Sequence, residues 1–382
     1  MKIRPPSIRR AALGLLPIAI FWTVIPVFAG GDEMGFTSYF FSDSGSNKVI
    51  TTSFNLAKKL LQQTMVLIDI ELDHVTVPPI TATTGATRPQ RRSSEPFEKS
   101  RGQVILGMEQ GIGQDVTFGA NFYRSQEVDY VSNAAVATMS TELFDKNTTL
   151  TLRGQFNADR VGKILESGDI TFGKKQVYTG ALNLSQVLSP TTVLDLGYDI
   201  MYLKGVLSDP YRQVRITDDA GGTDVVDELH PSKRVRHAGT VRLSQFISSI
   251  RASIIGSYRY YGDTWSVHSH TGELKFNKYI FKDLIFGADY RYYIQTGASF
   301  YQDNYGGSVY AADAYRTADY KLKPFSSNNF GLSLTFMLRG LGKPGSDLEF
   351  LENSSVELYY FRYFNTLNFS ADIVQFQIKF AI

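Results

Sequence analysis

The chain has 382 residues, a formal net charge of +2 and no cysteine. So small a charge, on basic residues that are scattered and not clustered, excludes the electrostatic footprint of a nucleic-acid binder. The missing cysteine excludes disulfides, thiolate metal sites, cysteine nucleophiles, covalent haem attachment and a lipidated cysteine anchor. Hydrophobic residues make up 43% and charged residues 20%, yet no apolar run after residue 30 is long enough to span a bilayer as a helix. The 22 Tyr and 26 Phe, against only two Trp, suit a pleated surface and a membrane–water boundary.

Lys2, Arg4, Arg9 and Arg10 precede an apolar run from Ala11 to Ile25, and Val27-Phe28-Ala29 places small residues at cleavage positions. This is the pattern of a secretory signal peptide covering 1–29, cut after Ala29. The competing reading is an uncleaved anchor, but the run is short and Pro26 breaks it.

From residue 35 onward apolar and polar residues alternate at period two, the mark of strands with one apolar and one polar face. Val66, Ile68, Ile70 and Leu72 alternate with Leu67, Asp69, Glu71 and Asp73, and Leu194, Leu196, Tyr198 and Ile200 flank Asp195 and Asp199. The predicted strands pair as 35–42 with 48–60, 64–77 with 99–112, 114–130 with 135–144 and 148–162 with 174–188. They continue as 192–207 with 234–247, 249–262 with 265–280, 284–299 with 319–338 and 354–365 with 371–382. Tight turns fall at Gly113-Gln114, Asp145-Lys146-Asn147, Ser189-Pro190-Thr191, Ser248-Ser249 and Lys282-Asp283, and long loops at 78–98, 164–173, 208–233 and 300–318.

Period alone does not tell a soluble sandwich from a membrane barrel. Long strands, alternating short and long connections, and aromatic clusters near strand ends favour the barrel. Those clusters are Tyr258, Tyr260 and Tyr261; Tyr290, Tyr292 and Tyr293; and Tyr359, Tyr360, Phe361 and Tyr363. The C-terminal strand 371–382, with Phe376 and Phe380, looks like the signal read by the barrel-assembly machinery, although it ends on Ile382 and not on Phe. The expected fold is an all-β, transmembrane, antiparallel up-and-down barrel of about sixteen strands, or fourteen without the first hairpin, covering 30–382 as one domain in the outer membrane. That count leaves no segment for a plug or a periplasmic domain, and gives no account of the 339–353 stretch.

Several stretches resemble an outer-membrane family filed as domain of unknown function three-five-seven-zero. They are Ser208-Asp209-Pro210-Tyr211-Arg212, Tyr258 through Trp265, Ser269-His270-Thr271, Ser299-Phe300-Tyr301, and Ala318-Asp319-Tyr320-Lys321-Leu322 before Pro324-Phe325. The close, Tyr363-Phe364 through Ala371-Asp372-Ile373-Val374, is similar too, with Asn365-Thr366-Leu367 replacing the family's usual turn, and Gly85-Ala86-Thr87 is a weaker match. The resemblance implies an outer-membrane barrel and no particular activity.

The inward polar faces are expected to carry Arg153, Asp195, Asp199, Arg236, Arg242, Arg251, Arg259, Asp289 and Arg291. Such charges set ion selectivity in a water-filled pore, or else pair with one another and fill the barrel. The excess of Arg in this set leans towards anions. His268 and His270 share a strand face, and Asp218-Asp219, Asp224 and Asp227-Glu228 share a loop, but neither has the ligand spacing of a dedicated metal site. No metal, cofactor or catalytic residue is therefore expected. The leading function is passage of small solutes through a porin-like channel in contact with outer-membrane lipid. A structural barrel holding a periplasmic or extracellular protein partner is the alternative, and an outer-membrane hydrolase a third.

Overall fold

The computed structural model describes residues 32–77, 97–165, 167–217, 221–306, 314–342 and 345–381. The signal peptide and most of the 78–98 loop lie outside them. The wall begins with β1 (Glu33–Asp43), β2 (Lys48–Leu61), β3 (Thr64–Val77), β4 (Phe97–Ile112) and β5 (Val116–Gln126). It continues through β6 (Tyr130–Leu143), β7 (Thr148–Ile164), β8 (Ile170–Ser189) and β9 (Thr192–Gly205). Two short strands, β10 (Gln213–Thr217) and β11 (Thr223–Asp227), leave the wall before β12 (Lys233–Ile247), β13 (Ala252–Asp263), β14 (His268–Tyr279) and β15 (Leu284–Gln295). A second excursion carries β16 (Tyr305–Gly306), and β17 (Phe325–Met337), β18 (Ser355–Asn365) and β19 (Ser370–Ala381) complete the wall.

The sixteen wall strands form one closed antiparallel barrel. Closure runs from Glu33 opposite Ala381 to Asp43 opposite Ala371, so the first hairpin belongs to the wall. No helix among the described residues is long and apolar enough to cross a membrane.

Register sets the two faces. Phe36 pairs with Phe54 and Thr37 with Ser53; the two Phe are exposed, whereas Thr37 is 2% exposed. The same alternation leaves Leu72 at 59%, Leu106 at 50% and Leu332 at 52% exposure on the outer surface. In water such a belt would far exceed the apolar patch that a soluble protein tolerates. In hydrocarbon it is the favourable surface, and closure is then obligatory, because each unpaired N–H or C=O there costs several kcal/mol. The barrel is transmembrane.

β7 has 17 residues and β8 has 20, more than the 9–11 needed to cross, so this part of the wall rises beyond the bilayer. The 164–173 segment is accordingly not a long loop: strand pairing continues to Ile164 opposite Ile170. Conversely, β17 starts at Phe325, and 319–324 belongs to the preceding loop, where Tyr320–Leu322 is a 3-10 turn.

Three outer hairpins share one turn. Asp43 Oδ1 accepts from the N–H of Gly45 (2.8 Å) and Asn47 (2.9 Å), Asp263 Oδ1 from Trp265 (2.8 Å) and Val267 (3.1 Å), and Asn365 Oδ1 from Leu367 (2.9 Å) and Phe369 (3.2 Å). In each the residue three along (Ser46, Ser266 or Asn368) has positive φ. The short side-chain acceptor replaces a backbone turn, as Asp and Asn do. At the opposite end the 339–353 stretch forms 3-10 turns at Leu338–Gly340 and Glu349–Leu351. Phe350 packs 5.9 Å from the Phe380 ring, and Ser354 Oγ accepts from Ala381 N–H at 3.4 Å. This connection docks against the last strand.

Candidate functional site: the inner wall and the covered outer mouth

The register turns Arg153, Asp195, Asp199, Arg236, Arg242, Arg259, Asp289 and Arg291 inward, on the face shared with buried Thr271, Ser327 and Ala238. Arg251 is not on that wall. It is the left-handed residue ending the Ser248–Ile250 turn, and its guanidinium lies 5.1 Å from the Tyr279 ring centroid. Two of the expected carboxylates are engaged: Asp199 with Arg259 Nη1 at 3.2 Å, and Asp289 with the Tyr359 hydroxyl at 3.0 Å. Asp195 stands directly opposite Arg242 in register, and Arg242 helps line a recess of about 50 Å³ with Ile255, Ser257, Glu273 and Lys275.

The inward set is larger than the sequence pattern suggested. Asp69, Glu71 and Asp73 on β3, Glu109 on β4 and Glu357 on β18 also face the lumen. Arg101 on β4 holds Asp73 at 2.6 Å and Glu71 at 2.7 Å. Asp69, Glu109 and Glu357 form no ion pair among the described residues. Around the ring β13 lies diametrically opposite β3, so an acidic arc faces an arginine-rich arc running from β7 to β15. The Arg excess that suggested anion preference disappears once β3 is included. What replaces it is a separation of charge across the lumen.

The outer mouth is covered. Gly205 ends β9 at φ +113, and a Cβ there would lie 2.1 Å from the Lys174 carbonyl oxygen. Only glycine turns the chain off the wall at this point without strain. The excursion then reaches sideways. The Tyr211 hydroxyl donates to Asp129 at 2.7 Å and accepts from Ile164 N–H at 3.1 Å, while Lys163 pairs with Asp227 at 2.6 Å.

From the other side the 296–324 excursion meets it. Arg212 Nη1 pairs with Asp319 at 2.9 Å, Thr317 Oγ1 donates to Glu228 at 3.0 Å, and Leu229 and Arg316 exchange backbone hydrogen bonds of 2.9 Å. β10 pairs antiparallel with β11 and parallel with β16, and Val214, Ile216 and Tyr305 form a small buried core. A second core joins Trp265, Val267, Ala298 and Leu322. Among the described residues, two loops thus build a three-stranded sheet over the opening.

Electrostatics at the mouth follow from this burial. Burial pushes the Asp209 carboxyl above the usual aspartate range, with Arg212 working against it. Burial alone would lower the Arg212 guanidinium, but Asp319, Glu228 and Asp209 together hold it above its ordinary value. Burial also draws the Lys321 ammonium down. At the neighbouring turn burial would raise Asp129, and hydrogen bonds from Lys99 and Tyr211 hold it low.

Other sequence candidates are dispersed. His268 and His270 face outward, with their Nδ1 atoms 3.0 Å from the Tyr260 hydroxyl and 2.6 Å from the Tyr258 hydroxyl. Asp224 and Asp227 lie on β11, Glu228 is buried beneath it, and Asp218-Asp219 fall outside the described residues. No group of three or more metal-ligating side chains occurs among the described residues. Among the described residues, Ser208, His230 and Glu228 lie together as the members of a hydrolytic triad would. There Ser208 Oγ accepts the backbone N–H of His230 at 2.8 Å, while the ring Nδ1 faces the Leu207 carbonyl at 3.1 Å. The imidazole therefore does not address the hydroxyl.

The aromatic clusters divide between two duties. Tyr258, Tyr260, Tyr290, Tyr292 and Tyr360 stand on the outer surface, whereas Tyr261, Tyr293, Tyr359 and Tyr363 turn inward. Several stretches that carried the family resemblance meet at the mouth: Arg212 pairs with Asp209 and Asp319, and Trp265 packs with Phe300 and Leu322.

Comparison with curated proteins finds no match. Among solved structures the barrel is similar in fold to OpdK of Pseudomonas aeruginosa, crystallised with vanillate (8% identity over 91% of this chain and 97% of that one, TM-score 0.43). It is also similar to the CymD monoaromatic hydrocarbon channel (8% over 97% and 94%, TM-score 0.45) and to a bacterial polysaccharide outer membrane secretin (7% over 92% and 99%, TM-score 0.48). These likenesses are of fold alone. The family described as Protein of unknown function (DUF3570) matches residues 74–375, the greater part of the chain, and this protein belongs to it.

Proposed function

We propose that the protein is an outer-membrane channel for small solutes, with an outer mouth narrowed by its own loops. The observation that carries this reading is the charged inner face of a sixteen-stranded wall, a size at which side chains alone do not fill the interior. Arg153, Asp195, Asp199, Arg236, Arg242, Arg259, Asp289 and Arg291 line it on this reading, together with Asp69, Glu71 and Glu357. Opposed arcs of charge act on dipolar solutes more than on net anions or cations, so selectivity is for solutes carrying both signs. Residues 1–29 are removed on export, 30–382 form the single barrel, and strand 371–382 is the segment presented to the assembly machinery.

Planar-bilayer recording tests the proposal against the scaffold alternative. Purified barrel is expected to give discrete ionic conductance with a reversal potential near zero in a salt gradient. Absence of current above leakage, with a stable copurifying protein, would favour a partner-filled barrel instead.

A further inference from the structure

Outward-facing charge is rare on this barrel, and one cluster of it, on β7, β8, β9 and β12, carries a single sign. Arg160 on β7 stands directly opposite Lys174 on β8, and Lys204 on β9 directly opposite Lys233 on β12. Like charges placed face to face across strands are destabilising. Two inward cations nearby are neutralised: Lys175 pairs with Asp159, and Arg234 with Asp263. None of the four outward cations has an ion-pair partner among the described residues, and the outward positions of β5 to β9 and β12 carry no carboxylate.

Their height on the wall is informative. Below them the face runs through Leu196, then Tyr198 opposite Leu182, then Ile200, to an aromatic row of Phe156, Tyr178 and Tyr202. Such a row marks the membrane interface. The cations come next towards the outer end, at the level of the outer-leaflet headgroups. Arg160 lies 4.3 Å from the Phe172 ring centroid and Lys204 5.7 Å from that of Tyr178, which holds both charges along the wall.

We propose that this strip binds the phosphate groups of a phosphorylated glycolipid in the outer leaflet. Its acyl chains lie along the Leu and Ile rows, and its phosphates bridge the facing cations. Charge complementarity supplies the argument: only an anion relieves two like-charged cross-strand pairs at once, and at that depth the anions available are lipid phosphates. The site is independent of conduction through the lumen.

The test is native mass spectrometry of the intact mature barrel in detergent. The probes are bisphosphorylated lipid A, the same lipid stripped of phosphate, and inorganic phosphate. Bisphosphorylated lipid is expected to bind about tenfold or more tightly than the stripped lipid. K174Q/K204Q should abolish that difference and K174R/K204R should retain it, both with unchanged heat-modifiable electrophoretic mobility. Equal binding of both lipids, or no effect of K174Q/K204Q, would overturn the proposal. So would inorganic phosphate binding as tightly as the lipid, since the site would then be one for the free anion.

Discussion

The Arg212 guanidinium meets the Asp319 carboxylate at 2.9 Å, although one residue has just left β9 and the other is about to enter β17. Arg212 is 10% exposed and also faces Asp209 at 3.5 Å and Glu228 at 3.9 Å. Removing one member of such a buried group costs roughly 3–5 kcal/mol, and here that cost falls on the contact between the two loops. Arg212→Gln is therefore expected to raise single-channel conductance and to speed proteolysis within 206–232 by at least about tenfold. The heat-modifiable mobility of the barrel should not change.

Acidity should first close and then loosen the mouth. The Asp209 carboxyl is raised above 3.8 by burial, so the docked loop binds that proton more tightly than an undocked one. This contribution favours docking as pH falls through the range just above 3.8, and is lost as pH rises through the raised value. Asp129, held below 3.8 despite its burial by hydrogen bonds from Lys99 and Tyr211, stabilises docking above 3.8 and ceases to do so at lower pH. Conductance should fall on mild acidification and recover in stronger acid. Asp209→Asn should remove the first limb and leave the second.

Gly205→Ala forces a Cβ to 2.1 Å from a carbonyl oxygen at positive φ. A strain of about 1–3 kcal/mol is expected at this exit from the wall, read as a lower urea midpoint or as faster loop proteolysis. Gly154→Ala is the matched control, because its Cβ meets nothing within 4 Å. That substitution should leave both measurements unchanged.

The opposed arcs make predictions of opposite sign. Neutralising Asp69 and Glu71 as D69N/E71Q should move the reversal potential towards anions, and R153Q/R242Q towards cations. Each shift should shrink as salt rises from about 0.1 M to 1 M, since the screening length falls from about 10 Å to 3 Å. Shifts of the same sign in both variants would remove the arrangement proposed for the lumen.

The wall was legible in the sequence because period two is a local property: Asp195 and Leu196 occupy opposite faces whatever their neighbours do. The tight turns were legible for the same reason. Three features were not. The acidic ladder of β3 shows its alternation, but which of its two faces meets Arg101 and the lumen depends on pairing with β4, and the inner charge balance turns on it. Arg251 fits the periodicity of the strand after it, yet the turn runs on to the left-handed Arg251, two residues beyond the expected Ser248-Ser249. The covered mouth depends on contacts between loops far apart in the chain, such as Tyr211 with Asp129 and Leu229 with Arg316. Strands as short as β16 leave no periodic trace. The sequence signals for the mouth were the length of the 208–233 and 300–318 loops and the family resemblance, several of whose stretches meet there.

Which side of the pleated wall is wet decides whether a lumen exists. The chain has no native cysteine, so single spin labels at Asp195→Cys and Leu196→Cys in the bilayer-reconstituted barrel read the two faces separately. The label at 195 should be relaxed by a water-soluble nickel chelate, and the label at 196 by dissolved oxygen and not by the chelate. If both labels reported lipid, or if 196 were the one reached by the chelate, the lumen proposed here would not exist.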